Sequence, residues 1–235
     1  MSAEYPGTAW EEIGEKVSAL SGKGPDYADV FVQSGAGHSV TFEKERIEEV
    51  SSAASGGVSA RVLVKDHSVF SHSPDCSASG AANCLETVLS RAQVKSSGIS
   101  LPCNVSISFD PSRLKVPDVS PFSHVDRAIR SSSPFVRQVT LRHRVSGKRI
   151  LVVRGDGNLV YDERFHALFA VQVTVEKEGT IQTGYEVRAF QAEAEGFWDR
   201  VSPMEVGQQA LERALLMLDA VPSPAGRMPV VLSGE

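Results

Sequence analysis

The chain has 235 residues, 41% of them hydrophobic and 23% charged, which is ordinary for a globular protein and long enough to bury a sizeable core. A formal net charge of −5 excludes the global basic footprint of a nucleic-acid binder. No apolar run reaches the roughly eighteen residues of a membrane span, and the polar, acidic start Met1 to Gly14 is no secretory leader, so the expected location is the cytoplasm with no membrane contact.

Thr8 to Leu20 places Trp10, Ile13, Val17 and Leu20 at offsets of three and four, the apolar face of a helix. Tyr27 to Gln33 alternates as a strand. After Gly35-Ala36-Gly37, read as a turn, His38 to Glu43 predicts a second strand and a hairpin. Arg46 to Ala53 predicts a short strand, Gly56-Gly57 a turn, Val58 to Val64 a more buried strand, and Ser68 to His72 a further one. Ser77 to Val94 carries Ala81, Leu85, Val88, Leu89 and Ala92 on one side, with Ser77 as the capping residue of a helix. Ser96 to Ser120, rich in Ser and Pro with one short strand candidate at Val105 to Phe109, reads as a connector.

The same order then recurs. Val125 to Ile129 predicts a short helix, and Phe135 to Ser146 and Lys148 to Arg154 two strands. The turn Asp156-Gly157-Asn158 leads into Leu159 to Glu163. His166 to Lys177 is the longest strand, and Thr180 to Phe190 returns after Glu178-Gly179. Ser202 caps a helix reaching Asp219, with Pro203 at its first position, Glu205 completing a capping box, and Val206, Ala210, Leu211, Ala214, Leu215 and Leu218 on its apolar face. The expected class is α+β, with antiparallel sheets covered by helices in two strand-then-helix units, residues 1–110 and 111–235. The closing run Pro229-Val230-Val231-Leu232 reads as a buried strand leading into a further domain.

Motifs for chemistry are sparse. The six histidines, at 38, 67, 72, 124, 143 and 166, lack the i, i+4 spacing that puts two metal ligands on one helical face, and an odd offset separates His67 from His72 on a strand. Cys76, Cys84 and Cys103 are far apart and read as reduced thiols. Gly155-Asp156-Gly157 lies between strands, so no helix N-terminus follows to hold a phosphate. Glu43, Glu45, Glu48 and Glu49 read as a solvated acidic run. The basic stretch Arg137 to Arg154 alternates with apolar residues and reads as a solvated strand face. Gly179 to Tyr185 joins small and hydroxylated residues to one tyrosine at a strand return. This makes Thr183, Gly184 and Tyr185 candidates for contacting an extended peptide at a sheet edge, against the alternative of an ordinary hairpin.

Five segments in order carry a family resemblance: D-Y-A-D-V-F-V-Q at Asp26 to Gln33, R-I-E-E-V-S-S-A-A-S-G-G-V-S-A-R-V-L at Arg46 to Leu63, G-D-G-N-L-V-Y-D-E-R at Gly155 to Arg164, G-T-I-Q-T-G-Y-E at Gly179 to Glu186, and the helix from Gln208 followed by A-V-P-S-P-A-G-R-M-P-V-V-L. Together they resemble the TldD/PmbA family, known as modulators of DNA gyrase and microcin-processing peptidases, and the last segment is most similar to the TldD branch. The resemblance implies a zinc metallopeptidase whose H-E-x-x-x-H motif follows the M-P-V-V-L segment. Since the chain stops at Glu235, no catalytic or metal residue carries over to a position here. It further implies an N-terminal region that is inactive alone, helps enclose an unfolded peptide, and meets a PmbA-like partner subunit or a second copy. The alternative is a free-standing peptide- or partner-binding module, such as a modulator of DNA gyrase or of toxin–antitoxin function, without catalysis.

Overall fold

In a computed structural model, residues 8–20, 24–94, 106–191, 196–222 and 225–232 are described. The elements are α1 (Thr8–Ser18), β1 (Tyr27–Glu43), β2 (Arg46–Val64), β3 (His67–Ser73), α2 (Ala78–Arg91), α3 (Phe122–Ser132), β4 (Val136–Val153), β5 (Leu159–Lys177), β6 (Thr180–Phe190), α4 (Phe197–Arg200) and α5 (Pro203–Leu218). The protein is α+β, with one antiparallel sheet in the order β3-β2-β1-β4-β5-β6. Strands from both halves of the chain therefore share one sheet, joined where β1 pairs with β4 from Val30↔Val153 to Glu43↔Thr140.

The helix expectations hold closely. Trp10, Ile13, Val17 and Leu20 are buried, although α1 ends at Ser18. The Ser77 hydroxyl accepts from the Gly80 amide, and that of Ser202 accepts from the Glu205 amide; Pro203 occupies the first turn. Each cap satisfies an amide that the helix leaves without a partner.

The strands differ from expectation in one consistent way. Gly35-Ala36-Gly37 is not a turn but the middle of the seventeen-residue β1, and Gly56-Gly57 likewise lies inside the nineteen-residue β2. Phe135–Arg154 and Leu159–Lys177 each contain one long strand where two are expected. Gly35, Ala36 and Gly37 pair with Ser55, Ala54 and Ala53 on one side and with Lys148, Gly147 and Ser146 on the other. The glycines and alanines thus form a belt of small residues across three strands rather than a set of turns. The true reversals lie at Lys44-Glu45, Lys65-Asp66, Asp156-Gly157 and Glu178-Gly179. At these turns Lys44, Glu45, Lys65, Gly157, Glu178 and Gly179 have positive φ.

The belt separates two cores on the helix-bearing face. The first gathers Trp10, Ile13, Val30, Val62, Leu85, Leu89 and Leu151. The second gathers Phe122, Ile129, Leu141, Phe169, Val173, Val206 and Ala210. Between them the connector crosses the sheet. The Ile107 amide bonds to the Cys76 carbonyl (3.1 Å), and the Phe109 amide bonds to Ser34 Oγ (3.0 Å). The buried Phe109 ring lies on Gly147, where a Cβ would fall within 2.7 Å of Phe109 Cε2. The ring also meets Phe165 edge-on at 5.8 Å. Beside it Glu163 Oε1 accepts from Arg113 (2.6 Å) and Arg149 (2.7 Å). Burial pushes the Glu163 carboxyl up, but these two bonds outweigh it and hold it below its ordinary range. Of the expected strand Val105 to Phe109, position 105 lies outside the described residues and Ser106 makes a single bridge to Ser77. The run Pro229–Leu232 is not a strand, and Val230, Val231 and Leu232 are 73%, 96% and 86% exposed.

The second core encloses a histidine. His143 is buried at 1% exposure on β4, stacked on Phe197 at 5.0 Å and tilted against Trp198 at 4.8 Å. Its Nδ1 lies 3.1 Å from the Asp118 carbonyl, so Nδ1 carries the proton, and the buried Nε2 is unpartnered. Burial pushes the imidazole pKa down and outweighs the raising effect of the Asp118 carbonyl.

Two outcomes follow from this packing. Gly147→Val forces a side chain into the Phe109 ring and is expected to cost about 1–3 kcal/mol in urea unfolding, with Phe109→Ala in the same chain recovering part of the loss. The folded pKa of His143 lies below its value in the unfolded chain. The unfolded state therefore takes up more protons as pH falls below about 6.5, and stability present above that pH is lost on acidification. Melting at pH 7.5 and pH 5.5 should show a smaller acid loss in His143→Phe than in the parent; an equal loss would show that His143 does not titrate on unfolding.

Candidate functional site: an unpaired sheet edge

β6 forms one border of the sheet, and among the described residues its outer edge pairs with no strand. Its inner edge is zipped to β5 from Lys177↔Thr180 to Ala167↔Phe190. An edge strand leaves alternate amides and carbonyls directed outward, ready to accept another extended chain. The expected peptide-contacting residues Thr183, Gly184 and Tyr185 all sit on this strand, but they divide between its two faces.

Gly184 lies on the helix-bearing face, where a Cβ would overlap the Ala210 carbonyl and come within 2.5 Å of the Ala214 nitrogen. The missing side chain lets α5 close directly onto β6. Glu186, on the same face and only 6% exposed, is held by Arg188 and by Arg213, whose Nη2 is 2.8 Å from Oε2. Arg188 Nη2 also donates to Gln209 Oε1 (2.6 Å), tying β6 to α5 a second time. A carboxylate buried this deeply is costly unless it is paired in this way. The helix and the edge strand therefore form one rigid unit.

Thr183 and Tyr185 point to the opposite, helix-free face, and both are exposed. Thr183 Oγ1 is 3.3 Å from Thr174 Oγ1 on β5. Tyr185 is half exposed and Ile181 64% exposed, so an aromatic and an aliphatic side chain flank Thr183 beside the open edge. The sequence reading omitted Ile181, although the alternation Ile181-Thr183-Tyr185 places all three on one face of a strand.

The other candidates remain apart. His67 and His72 lie on opposite faces of β3, as their odd spacing predicts. Asp156-Gly157 is a hairpin turn closed by the Gly157 amide on the Arg154 carbonyl (2.8 Å). Cys76 and Cys84 are free thiols, and burial raises both pKa values; Cys103 lies outside the described residues. Among the described residues no three His, Cys, Asp or Glu side chains come together as a metal site, so those residues do not fit a zinc ion. No described helix is long and apolar enough to cross a membrane.

Comparison with known proteins gives this architecture a family. Residues 28–92 match the model described as PmbA/TldA metallopeptidase domain 1, and residues 116–218 match the PmbA/TldA metallopeptidase central domain. The chain is 26% identical to a metalloprotease TldD homologue of Haemophilus influenzae over 227 residues, covering 91% of this chain and 47% of that protein. It is 23% identical to a metalloprotease of Methanocaldococcus jannaschii, covering 94% of this chain and 51% of that protein. Two solved structures, each 15% identical, share the fold. They are TldE from Thermococcus kodakarensis, with a TM-score of 0.62 over 92% of this chain and 49% of that one, and a Thermotoga maritima protein described as a modulator of a DNA gyrase, with 0.60 over 92% and 50%. The chain spans about half the length of the curated relatives it matches. The two family domains cover both halves of the sheet, and the chain belongs to the TldD/PmbA metallopeptidase family.

Proposed function

We propose that this chain is the N-terminal, non-catalytic part of a TldD/PmbA-like zinc metallopeptidase, and that it helps enclose an extended peptide substrate in the cytoplasm. The observation that carries this reading is the unpaired edge of β6 in a family whose relatives are named metalloproteases. An unfolded peptide offers what such an edge lacks: backbone amides and carbonyls at strand spacing, with alternate side chains for Ile181, Thr183 and Tyr185 to contact. The pairing of Glu186 with Arg188 and Arg213 supports the same reading, because an edge that must receive a peptide repeatedly gains from being held in shape beforehand.

Zinc belongs, on this reading, to a part of the assembly outside the chain. A PmbA-like partner subunit, or a second copy of the chain, completes the enclosure. Peptide cleavage then requires the assembly, and this chain contributes backbone recognition rather than chemistry.

Two measurements test the proposal. Calorimetric titration of the chain with zinc should show no stoichiometric binding, and the chain should leave an unfolded peptide uncleaved; one tightly held equivalent of zinc would contradict the division of labour. A neutral, unstructured fluorescent peptide should bind the chain, and Ile181→Ala with Tyr185→Ala should weaken it by about three- to tenfold through lost apolar contact. Unchanged affinity in that double variant would remove β6 as the recognition edge.

A further inference from the structure

The helix-free face of the sheet holds a trough of about 540 Å³ that lies away from the β6 edge and across the belt of small residues. Its floor is Gly35, Gly37 and Ser39 of β1 with Ser51, Ala53 and Ser55 of β2. One wall is β4, which contributes Arg142, Arg144 and Lys148 at alternating positions, and His166 of β5 stands beside it, opposite Ser146. Glu49, opposite Thr41, is the one carboxylate in the lining. The trough is therefore cationic in a chain whose formal net charge is −5.

These cations are not spent on the fold. The ion pairs that brace the sheet use other cations: Arg113 and Arg149 on the helix-bearing face, and Arg61 with Asp29 and Arg137 with Glu176 between neighbouring strands. Arg142 Nε reaches only the neutral Thr41 hydroxyl (3.2 Å). Among the described residues the side chains of Arg144, Lys148 and His166 make no ion pair or hydrogen bond. Like charges repeated along one strand repel one another, and an unpaired row of them stabilises nothing within the chain.

Their spacing identifies a ligand. Side chains two residues apart on a strand stand about 7 Å apart, so Arg142, Arg144 and Lys148 mark out roughly 20 Å in steps of one and two such repeats. A single phosphate or small carboxylate cannot reach across that length. An extended peptide laid along β4 with acidic side chains at alternate positions repeats at the same interval, and the side-chain-poor floor lets its backbone lie close. Single-stranded nucleic acid also carries charge at a comparable repeat, but it is held by aromatic stacking platforms, and no Phe, Tyr or Trp lines the trough.

We propose that this trough binds extended acidic peptide segments, with Arg142, Arg144 and Lys148 as the carboxylate-recognising side chains. The inference rests on the reading of the chain as a peptide-handling unit and adds to it a selectivity for acidic sequence.

The test uses the 235-residue chain and fluorescent octapeptides of alternating Glu/Ser, Gln/Ser and Lys/Ser, with an oligothymidylate of equal charge. The Glu/Ser peptide should bind more tightly than the other two, and its affinity should fall with added salt. Arg144→Glu with Lys148→Glu should weaken it by about tenfold while leaving Gln/Ser binding and the melting temperature unchanged. The neutralising pair Arg144→Gln with Lys148→Gln should give a smaller loss in the same direction. Equal binding of Glu/Ser and Gln/Ser, unaffected by either pair, would overturn the acidic selectivity while leaving peptide handling intact. Failure of every peptide to bind would overturn both. Tighter binding of the oligothymidylate would assign the trough to nucleic acid, and concentration-dependent self-association abolished by the charge reversal would assign it to a second copy; either result overturns the proposal.

Discussion

The structure depends on four strands that run unbroken past the place where the chain composition suggests they should stop. β1, β2, β4 and β5 have seventeen to nineteen residues each, well beyond the usual strand of five or six. Such lengths require the sheet to pass between two cores without a gap in its ladder. At the crossing, a side chain at position 147 would collide with the connector, so Gly147 sits there, opposite Ala36, and Phe109 occupies the space it leaves. The β1–β4 ladder thus joins the first half of the chain to the second, and Phe109 packs over its middle at Gly147.

That arrangement divides the molecule's two faces by task. The helix-bearing face carries the cores, the Arg113–Glu163–Arg149 cluster and the enclosed His143, all of which are satisfied or shielded within the fold. The other face is left to solvent, as antiparallel sheets permit. It carries the exposed side chains of β6 and the cationic trough, two features that the packing of this chain does not require. α5 matters to the open face indirectly, since its closure over Gly184 and its bonds to Glu186 and Arg188 hold β6 in place from behind.

α1, α2 and α5 were legible in the sequence from an apolar stripe, joined in α2 and α5 by a capping hydroxyl, whereas α3 was expected only over Val125 to Ile129 and the four-residue α4 was not expected. The hairpin return Thr180–Phe190 was equally legible, with Glu178-Gly179 supplying the turn. The long strands were not, since Gly35-Ala36-Gly37 and Gly56-Gly57 have the composition of turns. Nothing local distinguishes a turn glycine from one emptied to admit a neighbour such as Phe109 from a distant part of the chain. The run Pro229–Leu232 has strand propensity, yet no partner strand lies beside it among the described residues. Of the site, Thr183 and Tyr185 could be placed at a sheet edge from pattern alone, but the alignment of Arg142, Arg144 and Lys148 over a small-residue floor depends on the β1–β4 register. The basic stretch itself was visible and, read alone, indicated only a solvated strand.

The sheet is one structural unit tied across its middle, so that neither core stands without the other. Native-state hydrogen exchange followed by mass spectrometry under increasing urea tests it most directly, by comparing amides of β2 and α2 with those of β5 and α5. Both groups should lose protection in a single transition at the same urea concentration. Two separate transitions, with residues 28–92 opening while 116–218 remain protected or the reverse, would contradict it.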